Sequence, residues 1–180
     1  IINMGRATPQ QADAMIRDLR QLAVKTGIEV PHVNTAMGGL LSSTGGNQEF
    51  SSAVLRQSAP FMVSSPEMLP SFTGAVADVA GVAGAKSDEE IQQIIGLVLS
   101  TMQKARINDL SKFPHFAAGI AGIAATDSSS DRMRAAEQAA ALLAPMSTSG
   151  KDPEGATTKT GGIALATSLR ELLPEQDVYD

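Results

Sequence analysis

Apolar residues in this sequence recur three and four positions apart in short runs, and glycine, proline or a serine/threonine cluster closes each run. Such spacing gathers side chains on one face of an α-helix. No segment alternates apolar and polar residues in twos, as a half-buried strand does. The chain is therefore expected to be all-α: about eight short helices packed as an irregular bundle or an array of helix pairs.

Local signals mark the expected helix boundaries. Thr8 is a good N-cap, Pro9 suits the first helical position and Gln11 completes a capping box. Ala12, Met15, Ile16, Leu19, Leu22 and Ala23 then form a stripe, and Gly27 can take the left-handed conformation that ends a helix. Pro31 opens a second helix, with Val30, Val33, Met37, Leu40 and Leu41 on one face, which ends at Gly45-Gly46. A third runs over about 48–59 with Phe50, Ala53 and Val54 inward, and Pro60 stops or kinks it. Ser64-Ser65-Pro66 reads as a turn, Pro70 starts or bends the next element, and the fourth helix covers roughly 71–82.

The fifth helix is the best marked. Ser87-Asp88-Glu89-Glu90 forms a capping box whose acids favour the positive end of the helix dipole. Ile91, Ile94, Ile95, Val98 and Met102 line one face, Leu97 and Leu99 widen it, and Lys104 and Arg106 sit at its end. Pro114 allows a sixth helix through Ala125. A seventh carries Met133, Ala136, Ala140 and Leu143 until Pro145 closes it. Residues 146–160 lack periodicity and read as an exposed loop. An eighth helix, about 161–173, shows Leu165, Leu169 and Leu172. The expected organisation is a leader at 1–7, a helical domain at 8–145, the loop at 146–160, and a C-terminal helix and tail at 161–180. No heptad persists, which disfavours a long coiled coil within the chain.

Composition narrows the function classes. With five Phe, one Tyr and no Trp, the core must be built from Ala, Leu, Ile, Val and Met. Cysteine is absent, which removes disulfides and thiolate chemistry. The net charge of −5 is spread thinly, and no basic patch suggests specific nucleic-acid recognition. No apolar run approaches the roughly 20 residues of a membrane-spanning helix; the nearest, 74–85 and 116–125, are broken by glycines and read as buried helix contacts. The first residue is Ile rather than Met, so an internal piece of a longer polypeptide or a processed product is expected.

The search for chemistry yields no motif. His32 and His115 are far apart, each beside a proline, and neither belongs to a full set of metal ligands at helical spacing. Gly150-Lys151 fails as a phosphate loop, because Pro145 and Asp152 stand where glycine and Ser or Thr are needed. Asp127 and Asp131 bracket three serines but lack the glycine and bidentate acid of a calcium loop; helix capping explains them with less. Glu29, Glu67 and Asp78 read as solvated charges. No catalytic, cofactor-binding or metal-ligating residue is expected, and no cofactor. The small-residue pair Ala118/Gly122, with Gly81 and Gly84 in the other glycine-rich helix, points to close helix packing within the chain; the sharper readings are packing between copies of it or insertion into a membrane after unfolding.

Several stretches resemble the tail tape measure proteins of tailed bacteriophages and prophages. They are Leu22-Ala23-Val24-Lys25-Thr26-Gly27-Ile28, the helix ending at Thr44-Gly45-Gly46, and Phe116-Ala117-Ala118-Gly119-Ile120-Ala121-Gly122. Ala139-Ala140-Ala141-Leu142-Leu143-Ala144 and the entry Thr160-Gly161-Gly162-Ile163-Ala164-Leu165-Ala166-Thr167-Ser168-Leu169 look similar. Loosely, the resemblance covers residues 10–173, and the missing heptad departs from the length-setting part of that family. It implies a non-catalytic structural component of the virion tail, acting in tail assembly and genome delivery and present in the host cytoplasm during assembly. The implied partners are other tail proteins (tube, baseplate or tip) and further copies of the chain, with membrane contact confined to infection. Two other readings are a bacterial α-helical interaction or adaptor module and an enzyme with an unrecognised site.

Overall fold

The computed structural model describes residues 8–128 and 130–147. The leader, most of the 146–160 loop, the eighth helix and Gly150-Lys151 lie outside them. The described residues form seven α-helices and no strand, as the periodicity predicts. Within the segment expected as one helical domain, contacts cluster into two compact units: residues up to 81 with 85–96, and residues 82–84 with those from 97 onward.

The first unit opens with α1 (Pro9–Thr26). Its capping box forms: the Gln11 N–H donates to Thr8 Oγ1 at 3.3 Å, and the Thr8 N–H donates to Gln11 Oε1 at 2.9 Å. Ala12, Met15, Leu19 and Ala23 are buried. The stripe is narrower than expected, because Ile16 is 36% exposed and Leu22 only half-buried. Gly27 ends the helix at φ 76°, its N–H donating to the Ala23 carbonyl.

Helix α2 (Val30–Ser43) packs on α1 and on α3 (Gln48–Ser58). Val33, Ala36, Met37, Leu40 and Leu41 are buried, whereas Val30 is exposed. The Asn47 side chain caps α3 by accepting the Phe50 N–H. As expected of Pro60, α3 stops at Ser58 and the chain continues as a 3-10 turn, Ala59–Met62.

A second 3-10 turn, Pro66–Met68, leads into α4 (Leu69–Ala83), which begins two residues before the expected Ser71 with Pro70 inside its first turn. Helix α4 is buried nearly all round; only Ser71, Asp78 and Gly81 are exposed along it. Gly84, at φ 69°, turns the chain out of α4 while the Ala85 N–H reaches back to the Ala80 carbonyl, a Schellman closure.

Helix α5 (Asp88–Lys104) starts on the expected capping box. The Glu90 N–H donates to Ser87 Oγ at 3.2 Å, and Glu90 Oε2 accepts the N–H groups of Ser87 at 3.0 Å and Lys86 at 2.6 Å. Ile91, Ile94, Ile95, Val98 and Met102 are all buried, with Leu97 and Leu99 at the margins.

The second unit holds the last turns of α5, a 3-10 turn at Leu110–Lys112, α6 (Phe113–Ala125) and α7 (Arg132–Ser147). Helix α6 is the most apolar of the seven in texture and is buried nearly all round, Gly119 and Gly122 included. It packs against α7, which offers Ala135, Ala136, Ala139, Ala140, Leu143 and Ala144. Small side chains on both helices permit close approach at the cost of apolar area per residue. Helix α7 does not close at Pro145 as expected but runs through it to Ser147, taking in the first two residues of the anticipated loop. A proline forfeits one backbone bond and crowds the preceding turn, and so near a helix end the last turn survives it.

Candidate functional site

Two grooves flank α3 in the first unit, and Arg56 borders both. The one between α1 and α3 has a volume of about 370 Å³. Met15, Leu19 and Leu55 are buried along its floor, and Asp18, Lys25 and Arg56 stand exposed at its lips. Met15, Asp18, Leu19, Leu22 and Lys25 line it because steps of three and four residues return to one side of a helix. An apolar floor with charged lips suits reception of an apolar side chain.

The other groove, about 440 Å³, lies between α3 and the start of α5 and is lined by Asn47, Glu49, Phe50, Ala53, Lys86 and Asp88 among others. Its edge is fixed by an ion pair. Arg56 Nη2 lies 2.9 Å from both carboxylate oxygens of Asp88, and Arg56 Nε donates to Asp88 Oδ2 at 3.3 Å. Beside it, the Gln92 amide donates to Gln57 Oε1 at 2.7 Å. These cross-helix pairs span 32 and 35 residues. In the sequence, Arg56 is only a cation in the last turn of α3 and Asp88 only an acid in the first turn of α5, so nothing local announces their meeting.

The two histidines fall in different units. His32 is half-buried in the first turn of α2, in the first unit; His115 is exposed in the first turn of α6, in the second. Asp131 caps α7 by accepting the Arg134 N–H at 3.0 Å, and the Asp127 carbonyl accepts the Arg132 guanidinium at 2.7 Å. Glu29, Glu67 and Asp78 are exposed. Among the described residues no group of three His, Cys, Asp or Glu side chains gathers to hold a metal ion.

Glycine positions differ from one another. Of the small-residue pair in α6, Gly122 is buried and Ala118 half-buried, and Gly119 beside them is buried too. Among the described residues of one chain, a Cβ added at Gly81 meets nothing within 4 Å, so no close approach within them is made there.

Among the described residues, buried polar groups are few. Ser51 Oγ and Thr44 Oγ1 are 2.9 Å apart, Thr73 donates to the Pro70 carbonyl, and Thr101 donates to the Leu97 carbonyl. Ser58 Oγ is fully buried and has no hydrogen-bond partner among the described residues.

Among the described residues, two carboxyls are held below their ordinary values. Glu90 is stabilised as the anion first by the Lys86 N–H and then by the Ser87 N–H. Asp109 is stabilised by the hydrogen bonds it receives from Ser111, side chain and then backbone. Both are capping arrangements, and their shifts follow from hydrogen bonds to the charged form.

Comparison with protein families, with curated proteins and with solved structures finds no match to this chain. Among the described residues no single helix is long and apolar enough to cross a membrane.

Proposed function

We propose that the chain is a helical, non-catalytic region of a phage tail tape measure protein, acting in tail assembly and genome delivery. One observation carries the reading: the succession of short Ala/Gly-rich helices with family-like wording at their ends and centres. The stretch from Leu22 to Ile28 spans the end of α1 and its glycine exit, and the stretch from Phe116 to Gly122 forms the buried body of α6. The partners in this reading are tube, baseplate or tip proteins and further copies of the chain, in the virion tail and, during assembly, in the host cytoplasm. An in-frame deletion of residues 8–147 tests it. Electron microscopy of the resulting lysates should show tails missing or malformed; normal, infective tails would overturn the reading.

The α1–α3 groove favours a second reading, a helix-pair adaptor that receives a protein or peptide partner. Such a module is monodisperse alone and captures its partner outside any particle, which a sedimentation measurement separates from assembly into tails.

A further inference from the structure

We draw no further inference here: the strongest candidate, the groove between α1 and α3 floored by Leu19 and Leu55, is an unpartnered apolar surface and nothing in the structure shows what covers it.

Discussion

Arg56 on α3 and Asp88 at the start of α5 form a bidentate ion pair across 32 residues of sequence, with the guanidinium Nη2 2.9 Å from each carboxylate oxygen. The side chains are 55% and 38% exposed, so water and salt screen the pair. A double-mutant cycle with Arg56→Ala and Asp88→Ala should give a coupling of about 0.2–1 kcal/mol that shrinks in high salt. Coupling well above that range, unchanged by salt, would show that the pair is desolvated.

Ser58 offers the opposite case. Its hydroxyl is fully buried with no partner among the described residues, and an unpaired buried hydroxyl costs about 1–3 kcal/mol. Ser58→Ala should therefore leave stability unchanged or raise it, by denaturant unfolding. A loss above about 1 kcal/mol would mean that the hydroxyl is satisfied.

Arg106 ends α5 in the left-handed region at φ 59°, while the Ile107 N–H closes on the Met102 carbonyl. This position usually takes glycine, because a Cβ in that conformation costs about 1–2 kcal/mol. Arg106→Gly should raise the unfolding midpoint, and Gly84→Ala, at φ 69°, should lower it. Equal midpoints for the two variants would refute the backbone argument.

Gly74 and Gly81 lie within α4, and a Cβ at either meets open space. Gly74→Ala and Gly81→Ala should each stabilise by about 0.5–1 kcal/mol through helix propensity. Gly122 is buried in α6, and Gly122→Leu should destabilise by about 1–3 kcal/mol or more through overpacking. If Gly81→Ala were destabilising instead, a surface must close on α4 there.

How far the sequence announced these features depended on distance along the chain. Caps are made by residues three apart, so Thr8–Gln11 and Ser87–Glu90 were readable, and so was the face from Ile91 to Met102. The tighter burial of α1, which leaves Ile16 exposed, depends on how neighbouring helices divide its surface. In the sequence Arg106 is only a cation at a helix end, because arginine carries no sign of positive φ. Pro145 signals a stop by its missing N–H, yet the end of α7 tolerates it. Both grooves and the Arg56–Asp88 pair arise from non-local packing, which no spacing rule encodes.

Acid should loosen the caps. The folded-state values of Glu90 and Asp109 lie below their ordinary 4.5 and 3.8, so the stability they add is fully present above that range. It is lost as pH falls through the lowered folded values. Thermal midpoints followed downward from pH 6 should decline below about pH 4.5, and the decline should be shallower in Glu90→Gln. An identical acid profile in that variant would remove Glu90 from the explanation.

Mass spectrometry of density-purified tailed particles from the producing bacterium tests the central proposal most directly. The proposal predicts peptides of this chain in the particle fraction, alongside tail-tube and tip proteins, before the genome is released. Their absence from intact particles, with the chain abundant in the soluble lysate, would contradict it.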